Sequence, residues 1–202
     1  MRNGVLLASI WVLISAAGAV ELPKNLAKKQ AETAAHALHT MMKSNVKKRL
    51  REGGILSAAK FCGEESYGKI RALSDELGPG LSIKRVSLLN RNPKSFPEEG
   101  ERGIVKALDL MEQGNAYLPD AVVQLLDAST YKVYIPSTMS SRNCKKCHGS
   151  EKEIDPQVRE YLKKRFPDDK AVGFRSGQVR GAVVVTVELG KKPAPSQGKD
   201  TK

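Results

Sequence analysis

The hydrophobic pattern of this chain changes character near residue 80, and that change limits the fold more than any other feature. From Pro23 to Glu52 the apolar residues Leu26, Ala31, Ala34, Ala35, Leu38, Met42, Val46 and Leu50 recur at three- and four-residue spacing. That spacing predicts one long helix with a single apolar stripe, and Gly53-Gly54 is its expected stop. A second helix is predicted over Ile55–Leu77, burying Ile55, Ala59, Cys62, Ser66, Ile70 and Leu73. Beyond it the runs become short and β-branched. Leu81 to Leu89 reads as a strand, Ala121 to Ser137 as a β-hairpin turning at Asp127 to Thr130, and Gly177 to Leu189 as a long closing strand. Between them "NRNP" reads as a turn, and Glu98 to Asn115 as an amphipathic helix carrying Ile104, Leu108 and Met111. A last helix starts at Pro156 behind an Asp155 N-cap. Helices first and antiparallel strands later predict an α+β fold.

The two ends read differently. Arg2, the apolar run Val5 to Ile14 and the A-x-A site Ala17-Gly18-Ala19 predict a signal peptide cleaved after Ala19. The apolar run is short for a membrane span of ~20 residues, and no cysteine near the site would take a lipid anchor. The expected organisation is therefore 1–19 signal peptide, 20–190 folded domain and 191–202 disordered tail, the tail carrying Pro, Gly, Ser and Lys without apolar anchors. The expected location is periplasmic, soluble. The formal charge of +12 would suit nucleic acid, but an exported protein rarely meets any. That charge suits solvated helix faces, steering of an acidic redox partner, or peripheral contact with an anionic membrane. Aromatic residues make up only 5%, so the core is aliphatic and small, and a large apolar cofactor would help fill it.

"SSRNCKKCHGSEKE" holds C-x-x-C-H at Cys144, Cys147 and His148, the attachment motif of c-type haem. Two thiols add across the two vinyl groups, and the following histidine lies under the iron as its axial ligand. A thioredoxin-like pair wants a strand-to-helix junction in a βαβ context, whereas this pair reads as a polar loop after a hairpin. Structural zinc wants four ligands, and three are clustered here. A disulfide between Cys144 and Cys147 would close a very tight loop. Cys62 is left over. It reads either as a buried thiol acting as a small hydrophobe or as the sixth iron ligand. His39, at the margin of the first helix's stripe, stands as its equal on residue chemistry; His36, Met42, Met111 and Met139 are further candidates.

The segments "GGILSAAKFCGEE", "RVSLLNRNPKSFPEEGE", "YIPSTMSSRNCKKCHG" and "FPDDKAVGFRSGQVRGAVVV", in that order, resemble the PAS-like c-type haem domain family, over roughly residues 25 to 189. Members of that family are exported, free-standing or the sensor part of histidine kinases and chemoreceptors. The resemblance implies long N-terminal helices and a five-stranded antiparallel sheet that cups one covalent haem c. It implies Cys144 and Cys147 as thioether cysteines, His148 as proximal ligand and Cys62, ending "AAKFC", as distal ligand, which favours Cys62 over His39. Arg85, Asn90, Arg91 and Asn92 fall in its R-x-S…RNP segment and Arg180 in its closing strand. Contact of these arginines with haem propionates is the working hypothesis, against a purely structural turn. Glu64 and Glu65 depart from the apolar residues usual in the family after the distal cysteine.

The function expected is that of an exported monohaem cytochrome that carries electrons, without enzymatic activity. The alternative is a redox or gas (CO/NO) sensor component signalling through a separate output protein. The long first helix also leaves room for a homodimer.

Overall fold

The computed structural model describes residues 17–139 and 142–191. The expected signal segment up to residue 16 and the expected tail beyond residue 191 lie outside the described residues. No described helix is long and apolar enough to cross a membrane.

The first helix, α1 (Ala17–Lys60), continues past its expected stop, but Gly53 and Gly54 leave helical geometry inside it. Gly54 has φ +69, a conformation that costs glycine nothing and most residues a good deal, so the sequence signal marks a kink instead of an end. The expected second helix is also interrupted. Phe61–Glu65 form a π-helical turn in which the Ser66 N–H reaches back to the carbonyl of Phe61, and α2 (Ser66–Leu77) follows. Strand β1 (Leu81–Val86) leads through a 3-10 turn, Pro93–Ser95, to helix α3 (Glu99–Gln113). The hairpin is β2 (Val122–Leu125) and β3 (Thr130–Thr138). Helices α4 (Arg142–His148) and α5 (Pro156–Arg165) precede β4 (Val179–Glu188). The Asp155 carboxylate accepts from the Gln157 N–H at 3.0 Å, as an N-cap should.

All strand pairs are antiparallel, in the order β1-β4-β3-β2. The described sheet thus has four strands where the resemblance implied five. β4 lies at its centre and is covered on both faces, which is why Ala182 to Val185 is an unbroken apolar run. One face packs on α1 through Ala27, Ala31, Ala34, Ala35 and Leu38, which meet Ile83, Tyr131, Val133, Val183, Val185 and Val187. Four alanines in that stripe let the helix approach closely. The expected stripe starts one residue early, since Leu26 is half exposed and Ala27 fully buried. The other face packs on α3 through Val105 and Leu108 against Val86, Tyr134, Ala182 and Val184. Glu101, fully buried, fixes α3 to the sheet by ion pairs to Lys84 at 3.0 Å and Lys132 at 2.9 Å.

Candidate functional site

The cysteine motif, expected in a loop, forms the helix α4. Residues i, i+3 and i+4 share one face of a helix, so the C-x-x-C-H spacing puts Cys144, Cys147 and His148 on the same side. No disulfide joins the cysteines of the described chain. Cys144 packs on Met139, Ala171 and Phe174; Cys147 packs beside Ala59, Ile154, Val158, Leu162 and Phe166, and burial pushes its thiol up to about 11. A tight turn holds the helix end. The Glu153 carboxylate accepts from Ser150 N at 2.9 Å, Ser150 Oγ at 2.8 Å and Lys145 Nζ at 3.0 Å, and these bonds hold its pKa down at about 2.

His148 is buried and its ring orientation is fixed from both sides. Nδ1 lies 2.7 Å from the carbonyl of Ala171; a carbonyl only accepts, so Nδ1 carries the proton. Burial, with Arg180 and Arg91 nearby, holds the imidazole well below its usual pKa and hence neutral. Nε2 is then an acceptor, and Arg180 Nη2 donates to it at 3.1 Å. Phe174 meets the ring edge-on, with centroids 6.5 Å apart.

Nε2 looks onto a cleft of about 110 Å³ lined by Cys62, His148, Arg85, Arg91 and Arg180, with Tyr67, Asn90, Asn92 and Ser137 around them. The volume is small beside the ~300–1,000 Å³ of ordinary ligand pockets; the Arg180 guanidinium, standing against His148, fills part of the space before Nε2. Cys62 reaches the cleft from the π-helical turn, a device often found at functional sites. Its neighbours hold that turn in place. Asn92 Nδ2 donates to Gly63 O at 2.9 Å, and Ser66 Oγ donates to Cys62 O at 2.9 Å. A β-carbon on Gly63 would stand 2.9 Å from the Phe166 ring. Burial pushes the Cys62 thiol up, opposed by Arg85, Arg180 and Arg91. Glu64 and Glu65, where the sequence departs from the family pattern, are anchors. Glu64 accepts from Tyr161 Oη at 2.7 Å and Arg165 Nε at 2.8 Å, and Glu65 pairs with Arg49.

The three arginines differ in their partners. Arg91 donates to Asp169 Oδ2 at 2.8 Å, to Cys147 O at 2.6 Å and, at 3.4 Å, to Ala171 O. Its fork ties the "RNP" segment to α4 and to the loop that holds His148. Arg85 donates to Ser66 Oγ at 3.2 Å. Three buried side-chain polar atoms lack a hydrogen-bond partner among the described residues, and two of them are Nε of Arg85 and Nε of Arg180.

Cys144, Cys147, His148, Cys62, Arg85 and Arg91 therefore converge on one region. His39 does not join them: it is exposed on α1 and absent from the cleft lining. His36 is exposed as well, and Met139 packs beside Cys144. Asp169, the Ala171 carbonyl and the Asn92 amide were not legible as site residues; their partners lie 78, 23 and 29 residues away in sequence. No group of three or more His, Cys, Asp or Glu among the described residues is arranged to hold a metal ion. The donor set fits a haem. A neutral imidazole presents its lone pair to a cleft that also holds a thiol. Two further thiols share its helix face, and two guanidinium groups have unmet N–H donors.

An antiparallel sheet packed between helices, with C-x-x-C-H on a short helix above an arginine-lined cleft, defines an α+β protein of the PAS-like class. The chain belongs to the Tll0287-like family, whose model matches residues 23–188. The crystal structure of the cyanobacterial haem protein Tll0287 superimposes with a TM-score of 0.59 at 24% identity, covering 84% of this chain and 98% of that one. That likeness establishes the fold. No curated relative matches the sequence.

Proposed function

We propose that the chain is an exported, monohaem c-type cytochrome that carries electrons and turns over no substrate. Cys144 and Cys147 would hold the haem as thioethers, and His148 and Cys62 would be the protein's ligands to its iron. The observation that carries this reading is the placement of Cys62 and His148 in the lining of one cleft, 86 residues apart in sequence, with the two motif cysteines on the face of α4 that carries His148. Haem binding is also what is known of the cyanobacterial protein that shares the fold.

Haem supplies a one-electron iron couple when bound. The chain's own residues set its surroundings. Ala171 fixes the tautomer and rotation of His148, so that Nε2 would be the atom offered to an iron. Arg85, Arg91 and Arg180 favour the thiolate of Cys62 against the burial that opposes it. A thiolate ligand lowers the potential relative to a thioether or an imidazole. The basic surface, with Lys145 and Lys146 on α4 itself, suits docking to an acidic partner.

One observation favours the sensor reading. Burial disfavours the thiolate of Cys62, and a neutral thiol would hold an iron less firmly than a thiolate, so that a small gas such as CO or NO could replace it.

Absorption spectra of protein exported from a host with haem-maturation machinery test both, ferric and then dithionite-reduced, beside a Cys62→Ser variant. Low-spin spectra with thiolate character, lost in the variant, are expected. Identical spectra would remove Cys62 from the iron, and absence of haem would end the proposal. Retention of the thiolate on reduction favours the carrier; its release favours the sensor.

A further inference from the structure

The cleft has a charge problem that its protein groups do not solve. It is lined by three arginines and, among the described residues, by no carboxylate. Asp169, just outside the lining, is taken by Arg91 at 2.8 Å, which leaves Arg85 and Arg180 without an anionic partner among the described residues. They stand on adjacent strands, Arg85 opposite Val183 in the β1–β4 register and Arg180 three residues before Val183 on β4. Each has a buried Nε with no acceptor among the described residues. An unmet buried donor on a charged group costs more than one on a neutral group. The neighbouring cation adds to that cost: burial and Arg85 together lower Arg180 to about 10.

Arg180 also has an acceptor it cannot keep. Its Nη2 bonds to the lone pair of His148 Nε2, which is the lone pair an iron would take. Coordination at Nε2 would therefore release the Arg180 fork into a cleft that Arg85 also lines, where it would need an anion. A planar, two-pronged carboxylate matches a guanidinium fork bidentately, and haem brings two carboxylates together with its iron.

We propose that Arg85 and Arg180 form a carboxylate-binding pair for the haem propionates, with Arg180 passing from His148 Nε2 to a propionate when the iron takes that nitrogen. Arg91, whose fork is filled by Asp169 and the Cys147 carbonyl, is a clamp for α4 and binds no propionate. This rests on the haem reading above and deepens it.

The test uses the full chain exported with covalent haem: wild type, Arg85→Met, Arg180→Met, Arg91→Met, and Arg180→Lys in case the methionine variant fails to fold. The readout is the propionate bending band in the resonance Raman spectrum, which responds to hydrogen bonding at the carboxylate. The band is expected to shift in both Arg85→Met and Arg180→Met, to shift by less in Arg180→Lys, and to stay in place in Arg91→Met. A band unmoved in Arg85→Met and Arg180→Met, or moved only in Arg91→Met, overturns the assignment. Failure of the haem reading shows separately, as wild type without haem. That cofactor-free wild type is then titrated with sodium acetate. A melting-temperature rise that Arg85→Met and Arg180→Met both abolish keeps the carboxylate pair but makes its ligand a free anion and overturns the propionate source. No rise overturns the pair itself.

Discussion

Arg91 Nη2 donates to the carbonyl of Cys147 at 2.6 Å while its Nε holds Asp169 at 2.8 Å. One side chain from the segment after β1 thereby connects the motif helix to the loop whose Ala171 carbonyl orients His148. Both members of the ion pair are buried, at 6% and 10% side-chain exposure. Taking one away leaves the other charged and desolvated.

Replacing Asp169 by Asn, or Arg91 by Met, is accordingly expected to destabilise the fold by about 3–5 kcal/mol, the range for breaking a buried pair from one side. Urea unfolding of each single variant and of the double variant checks this. The double should cost less than the sum of the singles, because no lone charge remains. Fully additive losses would show that the pair is not coupled as its geometry says.

Gly181 permits a close backbone approach between β4 and the end of β1. It has φ +134, and a β-carbon there would lie 2.0 Å from the Val86 carbonyl oxygen and 3.0 Å from Ser87 Cα. Both obstacles are backbone, so no side chain can turn aside. Gly181→Ala is expected to cost about 3 kcal/mol or more, combining backbone strain with the clash. It should also spread β1 from β4 where Arg85 and Arg180 stand. A melting temperature close to that of wild type would contradict this.

Acid should loosen the turn after His148. The folded-state pKa of Glu153 is depressed from 4.5 to about 2 by its bonds to Ser150 and Lys145. A depressed carboxylate contributes stability that is present above its unfolded pKa and is lost as the pH falls through the folded one. Glu153→Gln should therefore be less stable than wild type at pH 7, and the gap should close between pH 4.5 and about 2. A gap that is constant with pH would assign the effect to packing alone.

The helices and strands were legible because burial imposes a period, and so was the C-x-x-C-H triad, because its chemistry imposes a spacing. What escaped was set by long-range contacts. The π-helical turn at Phe61–Glu65 interrupts a segment whose apolar period is helical throughout. Its cause is remote: Asn92 pulls on the Gly63 carbonyl and the Phe166 ring fills the space beside Gly63. Helix α4 was hidden for a related reason. "RNCKKCH" has too few apolar residues to show a period, and the turn on its C-terminal side, with Ser150, Glu153 and Asp155, holds the helix in place. Gly53-Gly54 reads as an end in the sequence and is a kink in the structure, because local sequence cannot tell one from the other; packing on both sides decides that. Which arginine keeps an open fork was equally unreadable, since Asp169 lies 78 residues from Arg91.

Asn92 separates the two duties that hold Cys62 in position. Its Oδ1 accepts from the Lys94 N–H at 3.0 Å, capping the 3-10 turn, while its Nδ2 donates to Gly63 O inside the π-helical turn. Asn92→Ala removes both, the cap being worth about 1 kcal/mol and the orphaned carbonyl about 1–3 kcal/mol, so a loss of about 2–4 kcal/mol is expected. Asn92→Asp keeps the cap acceptor but turns the donor into an acceptor facing a carbonyl. In the haem-loaded protein both variants should therefore weaken the thiolate signature assigned to Cys62, although Asn92→Asp retains the 3-10 turn. If Asn92→Asp instead gave the wild-type spectrum with lowered stability, the Gly63 contact would matter for folding and not for placing the thiol. If only Asn92→Ala lost the signature, the cap, acting through the turn, would be what positions the cysteine.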